Sequence, residues 1–312
     1  IKIGVDKDAV RREGEIYSQL DRRLIALLDQ GVDTASNPYL VLERLFLHPG
    51  ARFQREGEGV AVDPASAVEI FVNLLAGLNG LHFRRKMPLI LCNIKPSNIG
   101  LRFYCQSVLD DAAYLDRLAM GAYEPVFTDL LAAESKARVE EAEGALEIPL
   151  ASPEYLASES VGEKGAGTGV FSMKSDVYGL TLSFYTLLTG ERPYAYRGVY
   201  QLEDGLLRSE LLEFKRTEVD PYRPGILEER FGAELASVLD EVLRLGTDPE
   251  PETRFAASAL LWRCHTLFKL RDVEREELAS IDDPRLGLRF RQDVFPRLRR
   301  GSSAYKVIKD DP

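Results

Sequence analysis

Apolar residues form short alternating runs near the start of the chain and regular helical patterns through most of the rest. The alternation over residues 1–5 and the apolar run at 39–42 are typical of buried strands. Over residues 8–29 and 65–83, apolar side chains recur every three or four positions, which predicts helices. From about Asp176 onward the pattern is helical almost throughout. Strands early and helices late predict an α+β fold, in which a small mixed part precedes a larger helical part.

A loop between two apolar runs, L-C-N-I-K-P-S-N at residues 91–98, carries polar residues at an informative spacing. It resembles the catalytic loop of protein kinases, whose usual form is H-R-D-x-K-P-x-N. Lys95, Pro96 and Asn98 match that form, whereas Asn93 stands in place of the catalytic aspartate. The segment therefore indicates a kinase-like loop with an altered centre.

Four further segments resemble protein-kinase motifs and occur in the order typical of the family. They are T-D-L-L at 128–131 in place of D-F-G, S-P-E-Y-L-A-S-E at 152–159 for the end of the activation segment, K-S-D-V-Y-G at 174–179 for the start of the central helix, and D-P at 248–249 with Arg254 for a late D-P-x-x-R element. The resemblance covers roughly residues 80–260 and rests on this order more than on any one segment. It implies a bilobal protein-kinase-like fold of the Ser/Thr type. Part of a small lobe would lie at 1–45, a large helical lobe at 46–270, and a linker with a hairpin at 271–312.

The resemblance also implies a nucleotide site in the small lobe. Lys2 resembles the strand lysine that contacts the α- and β-phosphates of ATP, and Glu13 resembles its ion-pair partner on the following helix. Leu42 would be the gatekeeper, and backbone groups from Glu43 to Leu45 would form the hinge that binds adenine. The alternative is that Lys2 and Glu13 are solvated surface charges.

A Gly-rich loop should precede the lysine strand, and a degraded version of it lies at the other end of the chain. Residues 300–312 resemble such a loop followed by a strand, with Gly301, Ala304 and Val307 as its nucleotide-contacting positions. We expect both termini to build the small lobe together, through circular permutation or through the way the chain is numbered. The alternatives are a C-terminal tail or the opening of a second kinase domain. Because the first residue is Ile1 and not Met, we expect the natural start to lie elsewhere.

The retained and lost residues of the motifs predict binding without efficient chemistry. Asn98 and Asp129 offer oxygen ligands of the kind that Mg²⁺ prefers, so the resemblance implies bound Mg²⁺ and ATP. The amide of Asn93 cannot accept a proton from a substrate hydroxyl, and losing such a base costs about 10²–10⁴-fold in rate. Lys95 would still stabilise charge on the transferring phosphoryl group, so residual transfer stays open.

Other matched positions predict structure more than chemistry. Cys92 replaces the arginine that grips an activation-segment phosphate in many kinases, and Leu131 replaces the glycine of D-F-G. We expect Asp176 to hydrogen-bond the backbone of the kinase-like loop. We also expect Glu159 and Arg254 to form a buried ion pair that anchors the activation segment.

Two insertions depart from the family pattern. Residues 106–117 predict an added amphipathic helix, and residues 162–169 form a Gly-rich stretch. Such additions serve either partner docking or no function as flexible loops, and the sequence leaves both open. The acidic run at residues 140–143 is expected to be a solvated loop face.

Composition narrows the class of partner. The chain has 312 residues with 40 Lys plus Arg against 50 Asp plus Glu, so its formal charge of −10 argues against nonspecific nucleic-acid binding. No apolar run approaches the ~20 residues of a membrane span. Three scattered cysteines fit a reducing, cytoplasmic location. We therefore expect a pseudokinase that binds Mg·ATP and regulates protein partners. The alternatives are a working Ser/Thr-type kinase with an atypical base, and an interaction module that binds no nucleotide.

Overall fold

The computed structural model is a mixed α+β fold, as the sequence pattern predicts. Short antiparallel sheets lie mainly in the first half of the chain, and long helices dominate the second half. The structure describes residues 2–3, 7–18, 24–47, 62–83, 88–103, 109–141, 152–162, 165–166, 169–202 and 204–268.

The N-terminal part is a three-stranded sheet with one helix packed on it. Strands β1 (Lys2–Ile3), β2 (Leu27–Val32) and β3 (Pro38–Leu42) pair antiparallel in the order β1-β3-β2. Helix α1 (Lys7–Tyr17) contacts β3 and β2. The turn between β2 and β3 is closed by the Asp33 carboxylate, which accepts hydrogen bonds from backbone amides two and four residues later.

The helical prediction over residues 8–29 is wrong at its C-terminal end. Helix α1 ends at Tyr17, and the chain is already in strand β2 from Leu27. Leucines at positions 24, 27 and 28 have helical spacing, but the backbone of residues 27–32 pairs with β3. Partners distant in the sequence therefore override the local period.

Short strands join the sheet to the helices. Strands β4 (Phe46–Leu47), β6 (Ile99–Arg102) and β7 (Glu124–Phe127) form a sheet in the order β4-β6-β7. Strand β5 (Leu89–Ile90) pairs with β8 (Glu134–Ser135). In the β6–β7 pairing, Ile99 at the start of β6 lies opposite Phe127 at the end of β7. The loop between β5 and β6 therefore lies next to the residues that follow β7.

The helical part is built around two long helices, α2 (Pro64–His82) and α5 (Met173–Thr189), whose side chains stack. The rings of Phe71 on α2 and Phe184 on α5 lie 4.3 Å apart and nearly parallel. Its helices are α2 (Pro64–His82), α3 (Asp111–Ala119), α4 (Lys136–Glu141), α5 (Met173–Thr189), α6 (Asp204–Arg216), α7 (Ile226–Phe231), α8 (Ala233–Gly246) and α9 (Ala257–Leu267). Helix α2 is long and apolar enough to cross a membrane by length and composition, and 83% of its most apolar 18-residue stretch is buried inside the protein.

The two insertions are ordered where the structure describes them. The first contains α3, which begins at Asp111, later than the prediction of residues 106–117, because the Asp110 side chain caps it. The fully buried Tyr114 of α3 donates a hydrogen bond from its hydroxyl to the carbonyl of Leu47 at 2.8 Å. At the start of the second insertion, residues 161–162 and 165–166 form a small antiparallel pair.

The acidic run at residues 140–143 was expected to be a loop, and this is wrong for its first two positions. Glu140 and Glu141 end helix α4. Both are exposed, as expected, and residues 142 and 143 lie outside the described part of the chain.

Helix α9 contains a buried histidine that should make stability pH-dependent. His265 is 6% exposed, and neither of its ring nitrogens has a hydrogen-bond partner within the described ranges. Burial lowers its pKa to about 4. The unfolded chain binds this proton near pH 6.5 and the folded protein only near pH 4, so stability falls as the pH drops through that window.

We expect this histidine to contribute a loss of at most about 1.4 kcal/mol per pH unit between those values. Urea unfolding at pH 7, 6, 5 and 4 measures it, with His265→Leu as the comparison. The variant should lose less stability than the parent as the pH falls. Parallel pH profiles for the two proteins would contradict the prediction.

Candidate functional site

The kinase-like loop at residues 91–98 is hydrogen-bonded to helix α5. The buried carboxylate of Asp176 accepts hydrogen bonds from the backbone amides of Leu91 at 2.7 Å and Cys92 at 2.8 Å. Its Oδ2 also lies 3.0 Å from Nε2 of the buried His82. The predicted hydrogen bonds from the loop backbone to Asp176 are confirmed.

A glycine on α5 brings the helix into contact with the loop backbone. A Cβ atom at Gly179 would meet the carbonyl oxygen of Ile94 at 2.9 Å and that of Tyr155 at 3.2 Å. Any side chain there would push the loop away from the helix. This positioning role was not predicted, although a glycine inside a long helix is its sequence signal.

The loop brings three of the predicted site residues together. The side-chain amide of Asn98 donates from Nδ2 to the backbone carbonyl of Asn93 at 2.9 Å. The carbonyl of Asn98 accepts from the amide of Thr128 at 2.9 Å, and Asp129 follows directly. Asn98 is buried, whereas Asn93 and Asp129 are half-buried. Asn93, Asn98 and Asp129 therefore meet where the loop and the end of β7 join.

These oxygens suit a hard divalent cation. Because Nδ2 of Asn98 donates to a carbonyl, its Oδ1 lies on the other side of the amide. This oxygen accepts from the Ser97 hydroxyl at 3.4 Å, which leaves its second lone pair for a metal ion. Asp129 adds a half-buried carboxylate at a left-handed φ of 47°. Mg²⁺ commonly uses one or two protein oxygens and completes its shell with water and substrate phosphates. The described residues contain no cluster of three or more His, Cys, Asp or Glu that would form an all-protein cage.

Helix α1 contacts the same region through Glu13. This side chain is 1% exposed, and its Oε1 accepts from the amide of Leu130 at 2.9 Å and from the hydroxyl of Tyr17 at 3.0 Å. Burial, followed by the neighbouring Glu13 carboxylate, raises the pKa of Tyr17. The alternative that Glu13 is a solvated surface charge is therefore wrong.

The partner predicted for Glu13 is Lys2. The backbone of Lys2 pairs with Leu40 in the sheet. Its side chain lies outside the described residues, so the ion pair with Glu13 stays a prediction. Gly301, Ala304 and Val307 also lie outside them, and so does the hairpin expected at residues 271–312.

The predicted hinge follows strand β3. Leu42 is half-buried at the end of β3, and the carboxylate of Glu43 forms an ion pair with Arg102 of β6. The hydrogen bond that the Arg102 side chain donates to the Glu43 carboxylate is the main reason why the pKa of Arg102 is raised. Neither the carbonyl oxygen of Glu43 nor the amide of Leu45 has a backbone partner in the parts of the chain that the structure describes.

Lys95 points toward the segment that resembles the end of an activation segment. Its Nζ donates to Oγ of Ser152 at 3.2 Å. Lys95 is half-buried, so its charge is only partly screened by water. This contact joins the loop to residues 152–156.

The position that the resemblance assigns to a phosphate-gripping arginine is apolar in this protein. Cys92 has a φ of 61° and is 4% exposed. It packs in a buried cluster of apolar side chains with Ile90, Val139, Leu156 and Phe171. Burial raises the pKa of the Cys92 thiol well above its usual range. The cluster offers no cation to a phosphate.

The predicted pair of Glu159 and Arg254 is confirmed. The guanidinium Nη1 lies 2.6 Å from Oε1 and Nη2 lies 3.0 Å from Oε2, so the pair is bidentate. Arg254 also lies over the ring of Tyr178 at 4.9 Å. The pair fixes residues 158–160 against the helical part of the fold.

Comparison with protein-family models and with curated proteins gives no match for this chain. The resemblance to protein kinases therefore depends on the ordered motifs and on the contacts among the residues that carry them.

Proposed function

We propose that this chain is a pseudokinase, a bilobal kinase-like fold that binds Mg·ATP and acts on protein partners in the cytoplasm without efficient phosphoryl transfer. The observation that carries the proposal is the meeting of Glu13, Asn98 and Asp129 around residues 128–130, with Asn93 beside them. These are the positions that the motifs assign to the helix glutamate, the two metal ligands and the missing base.

The residues of the site favour binding of a nucleotide through its phosphates and its base. Asn98 and Asp129 would hold the metal ion, which supplies charge neutralisation to the phosphates when it is bound. Glu13 is already oriented by two hydrogen bonds, so ordering it on binding costs little. The carbonyl of Glu43 and the amide of Leu45 offer an acceptor and a donor to an adenine ring.

The chemistry at Asn93 argues against a working kinase. Its side-chain amide has no proton-accepting lone pair of useful basicity, so it cannot serve as general base. Lys95 keeps a charge near the loop, but it contacts Ser152 and does not replace a base. Positioning and charge stabilisation alone would leave only residual transfer.

We expect Mg·ATP to raise the melting temperature of the protein by on the order of 5 °C at an ATP concentration a hundredfold above its dissociation constant. The reason is that ligand bound only to the folded state stabilises it. Differential scanning fluorimetry measures the shift. Asp129→Ala should abolish it, whereas Asp29→Ala, at an exposed position on β2, should keep it. Absence of any shift with Mg·ATP would contradict nucleotide binding and favour an interaction module that binds no nucleotide.

A transfer assay on the parent, Asp129→Ala and Asp29→Ala distinguishes a pseudokinase from a working kinase. Each is incubated with labelled Mg·ATP and a generic protein substrate, and label is counted on both proteins. We expect at most residual transfer, far below the ~1–100 s⁻¹ of working kinases. Transfer by the parent at such a rate that disappears in Asp129→Ala would contradict the pseudokinase proposal and support an atypical base.

A further inference from the structure

A cavity lies away from the candidate site described above. Its volume is about 310 Å³, and helices α5 and α6 and the loops that follow α6 and α8 form its walls. None of its lining residues belongs to the kinase-like loop or to residues 128–131. The cavity reaches the segment at residues 152–156 through one side chain, Lys215 of α6.

Lys215 is a buried cation without a direct counter-ion. Its side chain is 2% exposed, and Nζ donates to the carbonyl oxygens of Glu154 at 3.2 Å and Leu156 at 2.5 Å. No carboxylate lies within ion-pair distance of Lys215 in the described ranges of the chain. An ammonium group has three N–H donors, and these two carbonyls use only two of them.

The cost of this burial is visible in the titration of the amine. Burial lowers the pKa of Lys215 to about 7, and the charges of Glu154 and Glu159 only partly oppose that effect. The rings of Tyr178 and Tyr194 each lie 5.2 Å from Nζ and supply a weak electrostatic partner. An acidic group in the cavity would supply the missing counter-charge.

The mouth of the cavity carries negatively charged side chains, opposite in sign to the ammonium group of Lys215. Glu218 and Asp220 are exposed carboxylates in its lining, and Asp248 is a half-buried one. One oxygen of Asp220 and one of Asp248 accept from backbone amides, which leaves the other oxygen of each for a ligand. Arg244 also lines the mouth, but it is paired with Asp240 at 2.7 Å.

We propose that this cavity binds a small zwitterion of the amino-acid class. The ligand carboxylate takes the third N–H of Lys215, and its ammonium group faces Glu218 and Asp248 at the mouth. The aromatic walls formed by Tyr178 and Phe214 favour an apolar or aromatic side chain on the ligand. A cavity of about 310 Å³ is at the lower end of the range for small-molecule sites and suits a ligand of amino-acid size. This inference goes beyond the proposed function and does not depend on nucleotide binding.

Isothermal titration of the full chain with phenylalanine and with leucine tests the proposal. Phenethylamine, which lacks the carboxylate, and 3-phenylpropionate, which lacks the amine, are matched probes. We expect phenylalanine to bind and each analogue to bind at least tenfold more weakly. Absence of binding by both amino acids would overturn the proposal. Equally tight binding of 3-phenylpropionate would overturn the assigned role of the mouth carboxylates.

Two variants localise the ligand. Lys215→Met should abolish phenylalanine binding, with circular dichroism as the check that the variant folds. Glu218→Gln changes an exposed side chain, leaves the fold intact and should weaken phenylalanine severalfold while leaving 3-phenylpropionate unchanged. Undiminished phenylalanine binding by a folded Lys215→Met protein would overturn the assignment. If that variant does not fold, an unchanged phenylalanine affinity in Glu218→Gln would overturn it instead.

Discussion

Replacing Arg254 with methionine is expected to lower the free energy of unfolding by about 3–5 kcal/mol. The Arg254 side chain is 0% exposed and uses all its N–H donors, two on Glu159 and the others on the carbonyls of Asp248, Lys174 and Pro249. Methionine fills a similar volume but leaves the Glu159 carboxylate and three carbonyl oxygens without their donor. The measurement is equilibrium urea unfolding followed by circular dichroism.

A double-mutant cycle separates the ion pair from the rest of the Arg254 network. Glu159→Gln alone removes the charge but keeps an acceptor, so we expect it to cost less than Arg254→Met. In the double variant, the two losses should be less than additive because no unpaired carboxylate remains. Arg11→Met is the matched surface control, since the Arg11–Asp8 pair is exposed and should contribute at most about 1 kcal/mol. Equal losses for Arg254→Met and Arg11→Met would contradict the role assigned to the buried pair.

The parts of the fold that could be predicted are those in which local pattern and tertiary partner agree. Residues 65–83 carry apolar side chains at helical spacing, and α2 covers Pro64–His82, where side chains on both faces of the helix are buried. Residues 27–32 show the opposite case. Their leucines suggest a helix, but β3 supplies backbone partners that only a strand can use.

The candidate site could be predicted only where a motif fixes a role. Asp176 and the pair of Glu159 and Arg254 are motif positions whose partners the resemblance implies, and their contacts are as expected. The contact of Glu13 with the amide of Leu130 was not predicted, since it joins residues 117 positions apart. Lys215 was missed altogether because nothing in the residues around a lysine indicates that its ammonium group will be buried against carbonyls 59 and 61 positions away.

The turn at Leu91 and Cys92 depends on one carboxylate, which leads to the second large prediction. Cys92 has a φ of 61°, a conformation that costs a non-glycine residue about 1–3 kcal/mol. The two hydrogen bonds that the amides of Leu91 and Cys92 donate to the Asp176 carboxylate offset that cost. We expect Asp176→Ala to lower the free energy of unfolding by about 3–5 kcal/mol, because two buried amides and the His82 ring lose their acceptor.

Asp176→Asn and His82→Gln form the matched comparison for this prediction. Asparagine keeps one acceptor oxygen, so at least one of the two amides loses its partner at a cost of about 1–3 kcal/mol. His82→Gln leaves both amides bonded and keeps a donor for the carboxylate, so its loss should be smaller. Hydrogen exchange gives the local readout: the amides of Leu91 and Cys92 should exchange faster in Asp176→Asn and stay protected in His82→Gln. Equal protection in the two variants would mean that neighbouring packing, and not Asp176, holds the kinase-like loop in place.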